Sequence, residues 1–307
     1  MNKLLLGIMI VMLSSLAAAG EMTTIDIVKE YKQNLLDLDR NNVDSISIAL
    51  NKYKDMFKVI KDTTAQNVSY KLWSELADAI KDIQQNRLYD ENELSSEILE
   101  KGGKIEDKLY ESPEMQEKTR EYMKTLERNG IDVYVTEGNP YLMLDLEYQK
   151  KHFFKYINGF EKDYINIRAD EIKEGYTEGA AVIIPWDSIR KRIIRWENYA
   201  KKYPEKRIVD AANVFISEYL CMYISGNANS PLFDENKDFS KSTLLPAVKE
   251  SYEAYLRNNK DSMYYRVIRD LYSLLSENGF RMNPAKYEAL LKEYQLYSMG
   301  GIQPLIR

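Results

Sequence analysis

Hydrophobic residues recur at intervals of three and four positions through most of the chain. This spacing places them on one face of a helix, so it predicts amphipathic helices that pack against each other. The N-terminal third carries three such stripes: Ile27, Tyr31, Leu35 and Leu38; Ile46, Leu50, Tyr53, Phe57 and Ile60; and Val68, Leu72, Leu76, Ala79 and Ile83. The pattern predicts a mainly α protein, built as a helical bundle or as an array of helical hairpins.

One stretch, residues 131–145, departs from the helical pattern. Apolar and polar residues alternate over 131–136, and a period of two predicts a half-buried strand. Residues 137–140 have turn chemistry, and the apolar run at 141–144 predicts a returning strand. The sequence therefore predicts one small β-hairpin, at about 131–145, within the helical fold.

The register of this hairpin decides which side chains face each other. A turn closed by Glu137 and Pro140 sets the predicted register. In that register Asp132 faces Asp145, and such a pair is unfavourable unless a cation, a basic side chain or a shared proton lies nearby. Two interpretations stay open. In the first, the pair belongs to a metal or acid/base site. In the second, the pair lies at the end of the hairpin, and Asp145 caps the next helix, which has Glu147 in its first turn.

Further polar and aromatic side chains lie close to the predicted hairpin. His152 follows Asp145 by two helical turns on the same face, so a metal or acid/base cluster with Asp132 is geometrically feasible. The alternative is a histidine that is simply packed and hydrogen-bonded. Tyrosines beside a cleft would offer aromatic platforms to a ligand. The candidate ligand or acid/base site comprises Asp132, Glu137, Asp145, His152, Tyr134, Tyr141 and Tyr176, with no residue assigned as catalytic or as a metal ligand.

The N-terminus has the three parts of a secretory signal peptide. A positively charged head at residues 1–3 precedes an apolar run at 4–16, and three alanines at 17–19 form a small-residue cleavage pattern. We expect residues 1–20 to be removed on export, to the periplasm or out of the cell. No later stretch has the length of a membrane span, so we expect the mature chain not to be embedded in a membrane.

A weakly apolar stretch interrupts the helical pattern at Gly102 and Gly103. It predicts a boundary at about residue 111. The expected organisation is an N-terminal charged helical section at 21–111, followed by a main helical domain at 112–307 that contains the hairpin.

Residues 185–224 predict the most regular helix pair of the chain. An aromatic helix containing Trp196 and Tyr199 ends at Tyr203-Pro204, and a helix with small residues at Ala211-Ala212 follows. This pair resembles a tetratricopeptide-like helix pair of exported envelope proteins. The resemblance covers about forty residues, without a second copy at a spacing of about 34 residues. It implies a helical scaffold that binds protein partners.

Composition and motifs narrow the function further. A formal net charge of −5 without a basic block argues against a dedicated nucleic-acid-binding protein. Cys221 is the only cysteine, which excludes an intramolecular disulfide. No phosphate-binding glycine loop, nucleophile elbow, HExxH or CxxC motif occurs, and no cofactor is predicted.

We therefore expect a non-catalytic exported protein that binds a protein partner, in an oligomeric state the sequence leaves open. The alternative is an enzyme or binding protein for an envelope glycan or a small molecule, with a carboxylate and tyrosine cleft beside the hairpin.

Overall fold

The computed structural model describes residues 22–101, 116–136, 138–234, 241–281 and 283–294. The predicted signal peptide, the predicted boundary at residue 111 and the candidate site residue Glu137 lie outside these described residues. Within them the chain forms 12 helices and two small two-stranded antiparallel sheets, and it is 70% helical. The predicted fold class, mainly α with a small β-hairpin, is confirmed.

The chain divides into two compact units, Met1–Lys162 and Asp163–Arg307. In chain order the elements are α1 Thr24–Leu36, α2 Ser45–Val59, α3 Thr63–Asp90, α4 Asn92–Lys101, α5 Glu117–Arg128, β1 Ile131–Thr136, β2 Asn139–Leu144, α6 Leu146–Phe153, α7 Gly159–Glu174, β3 Thr177–Glu178, β4 Ala181–Val182, α8 Trp186–Lys202, α9 Lys206–Ser225, α10 Pro246–Asn258, α11 Tyr265–Glu277 and α12 Pro284–Glu293.

Aromatic rings form the core of the first unit. Phe153 of α6 lies at its centre, with its ring centroid 4.5 Å from Trp73 and 5.0 Å from both Tyr53 and Tyr70. The buried polar tips of these rings are hydrogen-bonded: the Tyr53 hydroxyl donates to the Gln66 carbonyl at 3.0 Å. Large rings remove much apolar area from water, and their satisfied polar groups add little penalty. The core therefore joins α2, α3 and α6, the helices that carry the site described below.

The stripe predicted for α3 is confirmed at Leu76, which is 5% exposed, and wrong at Val68. Val68 is 39% exposed, whereas Trp73 is 1% exposed and donates its indole N–H to the Ile46 carbonyl at 3.1 Å. The Tyr70 hydroxyl donates to Gln149 Oε1 at 2.7 Å. Burying two large aromatic rings with satisfied polar tips removes more area from water than burying Val68, and this sets the rotation of the helix.

The predicted hairpin forms, but its register is shifted by two residues. Tyr134 pairs with Tyr141 and Asp132 with Met143, so Asp132 does not face Asp145. The strands close between Thr136 and Asn139, and Gly138 takes a positive φ of 72° in the two-residue loop. Such loops favour a glycine at the second position, which places the loop one residue earlier than predicted. Because the shift is even, each side chain stays on its predicted face.

The predicted helix pair of the second unit forms as α8 and α9, which pack along each other. Trp196 of α8 stacks on Phe215 of α9, with ring centroids 4.4 Å apart and 15° between the planes. The likeness of this pair to a tetratricopeptide-like repeat stays a prediction. In the part of the chain that the structure describes, α9 is the one helix long and apolar enough to cross a membrane, and 44% of its apolar window is buried in the fold. That is weak evidence, because core helices of soluble proteins meet the same criteria.

Candidate functional site

The hairpin brings two of the predicted site tyrosines together. Tyr134 and Tyr141 are opposite each other on one face, with ring centroids 5.5 Å apart and 28° between the planes. Both are half-buried, and Tyr89 of α3 is 51% exposed. Burial, followed by the hydroxyls of Tyr141 and Tyr89, raises the pKa of Tyr134, so the three side chains are close enough to interact. We call Tyr89, Tyr134 and Tyr141 the tyrosine patch.

Asp132 lies two residues before Tyr134 and therefore on the same face of the hairpin. Partial burial, followed by the charges of Asp145 and Glu127, raises the pKa of the Asp132 carboxyl to about 6. The residue nevertheless keeps an exposed surface, so the carboxyl is crowded by protein atoms without being closed off from water. The tyrosine patch is thus bordered at one end by negative charge.

Asp145 has a structural role. Its side chain accepts a hydrogen bond from the Glu147 backbone N–H at 2.7 Å and caps the N-terminus of α6, while its own backbone N–H donates to the Gly130 carbonyl at 2.9 Å. The interpretation of Asp145 as a helix cap, with Glu147 in the first turn, is confirmed. The directly opposed pair of aspartates is wrong, because the register places Met143 across from Asp132.

His152 contacts a lysine instead of the aspartates. Its Nδ1 lies 2.8 Å from Lys54 Nζ, and its ring packs against Tyr148 at 4.4 Å between centroids. Burial, followed by the positive charges of Lys54 and Lys151, lowers the pKa of His152 to about 4. Over the described ranges no group of three or more His, Cys, Asp or Glu side chains could hold a metal ion. The Asp132/Asp145/His152 metal cluster considered from the sequence is therefore not assembled.

His152 lies in a shallow cleft of about 420 Å³ in the first unit. One face of α2 and one face of α6 form its walls, and the C-terminal end of α5 lies at its edge. We call this feature the basic cleft; its lining residues are Ser47, Leu50, Asn51, Lys54, Glu127, Arg128, Tyr148, Lys151 and His152. Sequence reasoning missed it because no local pattern indicates that the polar positions of α2 face those of α6.

Tyr176 belongs to the second unit, where it packs beside a buried charged network. Its ring contacts Tyr219 edge-on at 5.0 Å, and the Arg192 guanidinium lies 5.5 Å from the ring centroid. Arg192 is 2% exposed and donates to Glu174 Oε2 at 2.8 Å and to the Gly175 carbonyl. Tyr176 therefore takes part in packing that joins α8 and α9 to the end of α7 within the second unit.

Comparison with known proteins yields no relative: no family model, no curated protein and no solved structure matches the chain. Two features of the first unit bear on the function. One is the tyrosine patch with Asp132 at its end, and the other is the basic cleft.

Proposed function

We propose that the protein is exported and acts as a non-catalytic binding protein, with the tyrosine patch and Asp132 as its contact surface for a protein partner. The stacked, half-buried pair of Tyr134 and Tyr141 carries this proposal. Tyrosine is enriched at protein interfaces because it offers a large amphipathic contact area while few torsions become fixed. The pair is held by the hairpin, so its rings need little further ordering on binding.

The charge beside the patch supports a basic group on the partner. The negative charges of Asp145 and Glu127 act on Asp132 and raise its pKa, and a cation that approaches Asp132 relieves this repulsion. An arginine suits both features, since its planar guanidinium stacks on tyrosine rings and also binds carboxylates through two parallel hydrogen bonds. The proposed partner therefore presents an arginine or lysine next to an apolar segment.

A glycan or small molecule is a weaker fit to this surface. Tyr134 and Tyr141 cover each other's inner faces, which removes two of the flat surfaces on which a sugar ring could stack. The nearby amide of Gln85 bonds to the β2 backbone, donating to the Pro140 carbonyl at 3.2 Å and accepting from the Leu142 N–H at 2.7 Å. These contacts leave fewer polar groups for hydroxyl recognition.

The sequence adds two independent supports. The signal-peptide pattern at residues 1–20 supports export, and the resemblance of residues 185–224 to a tetratricopeptide-like pair supports a scaffold that binds proteins. Both features lie outside the tyrosine patch. They support export and protein binding as the class of function, and the binding surface is proposed from the hairpin alone.

Site-specific photocrosslinking of the full chain in the exported fraction of its native cells tests the proposal. A photoreactive amino acid at the exposed Tyr89 position should give one discrete protein adduct, and the same group at Met263, 41% exposed in the second unit, should not. We expect Asp132→Lys to reduce the adduct at least about fivefold, because it reverses the charge that attracts the partner. Asp210→Lys makes the same charge reversal at an exposed position of α9 and is the matched control.

Two results would reject this function. One is the absence of any adduct specific to Tyr89, and the other is an adduct that Asp132→Lys leaves at full yield. If soluble envelope glycan fragments instead stabilise the protein against heat, and Tyr141→Ser removes that effect, the surface is a glycan site.

A further inference from the structure

We propose that the basic cleft of the first unit is a binding site for an oxyanion, such as free phosphate or the phosphate or carboxylate group of a larger ligand. The tyrosine patch plays no part in this inference. Hydrogen-bond donors from two helices converge on the cleft, and its volume of about 420 Å³ is ample for a group of this size.

Helical spacing explains why the donors share the cleft. Asn51 and Lys54 are three residues apart on α2, and Lys151 and His152 are adjacent on α6, one turn after Tyr148. The core contacts of Phe153 hold α6 against α2 and α3. The polar side chains of α2 and α6 therefore face each other across the cleft. A site on two rigid helices keeps its donors in place without a ligand.

The contact between Lys54 and His152 sets the direction of the donors. An ammonium group has donors only, so Lys54 Nζ donates to His152 Nδ1 across their 2.8 Å contact. The neutral imidazole then carries its proton on Nε2, which remains a donor. The remaining N–H bonds of Lys54, the ammonium of Lys151 and the amide of Asn51 complete a set of donors that suits an oxyanion.

Positive charge predominates among the lining residues of the cleft, where three cations, Lys54, Arg128 and Lys151, face one acid, Glu127. The charges that act on Lys54 are those of Lys155 and Lys151, and with burial they lower the pKa of Lys54. Those that act on His152 are Lys54 and Lys151. Groups repelled in this way are stabilised by an anion, which favours their charged forms.

The charged groups of α5 offset only part of the positive charge in the cleft. Arg128 at the cleft edge is held by Asp44 through two guanidinium nitrogens, at 2.9 and 3.2 Å from Oδ1. Glu127 also lines the cleft; its charge helps to raise the pKa of Asp132, whereas the charges that lower the pKa of His152 are both positive. The described lining of the cleft therefore carries more positive than negative charge, and an external anion would balance the excess.

His152 makes the site measurable because it is the only histidine of the chain. Its Hε1 proton gives one NMR signal, whose pH titration reports the local charge directly. Sulfate is the first probe, since it stays divalent from about pH 3 to about pH 8. We expect the pKa of His152 to be about 4 without sulfate. Saturating sulfate should raise it by at least about one unit, which corresponds to about tenfold tighter binding to the protonated protein.

Variants separate a site from general electrostatics. Lys54→Met keeps the length of the side chain and removes its charge, so it should weaken sulfate binding at least about tenfold and raise the pKa of His152 without sulfate. Lys29→Met removes one positive charge from an exposed position of α1, and it should change sulfate affinity less than about twofold. If Lys54→Met does not fold, Lys151→Met on the exposed side of the cleft replaces it in the same measurement.

Three arms decide the outcome and the source of the anion. A saturable shift with inorganic phosphate as well as sulfate supports a soluble ligand. A shift seen only with vesicles of phosphatidic acid in phosphatidylcholine, and not with phosphatidylcholine alone, supports a lipid headgroup. The proposal is overturned if no probe gives a saturable shift, or if chloride at equal ionic strength gives the same shift.

Discussion

The ring of Tyr148 lies directly over Gly130. A β-carbon on residue 130 would fall 2.6 Å from Cγ and Cδ1 of Tyr148, and Gly130 has a φ of +75°. The same ring stacks on Trp73 of the core, with centroids 6.4 Å apart and 13° between the planes. Gly130 thus lies between the end of α5 and the start of β1, and it makes room for Tyr148, a residue that lines the basic cleft.

Gly130→Ala should destabilise the protein by about 2–5 kcal/mol. The left-handed backbone costs about 1–2 kcal/mol with a β-carbon, and the clash with Tyr148 adds about 1–3 kcal/mol of overpacking. Gly138→Ala is the matched control, because Gly138 has a φ of +72° and nothing within 4 Å of the added carbon. Urea unfolding at constant m-value measures both. Equal losses for the two variants would contradict the close packing of Tyr148 on Gly130.

The helical content was predictable because helical periodicity is a local property of the sequence. The same local reasoning failed where a choice between neighbouring alternatives depended on tertiary contacts. Apolar periodicity alone puts Val68 on the buried face of α3, whereas that face is set by Trp73 and its hydrogen bond to the Ile46 carbonyl. Turn chemistry alone likewise puts the hairpin loop one residue late, where both positions carry turn residues.

Asp145→Ala should cost about 1 kcal/mol, whereas Asp145→Asn should cost less than about 0.5 kcal/mol. Both substitutions remove the charge beside Asp132, but asparagine also accepts the Glu147 N–H and caps the helix as well as aspartate does. Thermal unfolding of the two variants, together with helix content by circular dichroism, separates the cap from the charge. Equal stability of the two variants would reject the capping role.

Glu171 is a buried carboxylate on which the second unit depends. It is 2% exposed, and it accepts from Trp196 Nε1 at 2.8 Å, from the Tyr219 hydroxyl at 3.0 Å and from Arg168 Nη1 at 2.8 Å. Glu171→Ala leaves three donors without their acceptor, so we expect a loss of about 3–5 kcal/mol in the free energy of unfolding. Tryptophan fluorescence during urea unfolding measures it.

Glu178→Ala provides the control for Glu171. Glu178 is exposed on β3 in the same unit, and removing it should change stability by less than about 0.5 kcal/mol. If Glu171→Ala is as mild as this control, the buried network does not hold α7, α8 and α9 together. Sequence reasoning could not identify Glu171, because acidic residues are numerous and nothing local distinguishes a buried one.

The candidate site was predictable only in part, for the same reason. Tyr134 and Tyr141 were expected near the hairpin, and the strand alternation places them on one face with Asp132. His152 was expected near the aspartates, since helical spacing relates it to Asp145. Its actual partner, Lys54, is 98 residues away in sequence, and only the packing of α6 on α2 brings the two together.

Asp132 and His152 should give the stability of the protein opposite dependences on pH. The pKa of Asp132 is raised to about 6 from 3.8, so between these values the folded state binds more protons and stability falls as pH rises. The pKa of His152 is lowered to about 4 from 6.5, so the unfolded state binds more protons and stability rises with pH. The two windows overlap between about pH 4 and about pH 6, and the contributions oppose each other there.

Single variants should reveal the two hidden slopes. Relative to the unmodified protein, Asp132→Asn should gain stability as pH rises through the shared window, and His152→Gln should lose it. Each change should reach about 1 kcal/mol, because solvent screens both partly exposed groups. Urea unfolding at a series of pH values measures the differences.

The double variant is the control, since independent contributions add and its pH profile should return close to that of the unmodified protein. Two single variants with slopes of the same sign would show that at least one of these side chains is ionised differently in the folded protein, and the environment described for it would have to be abandoned.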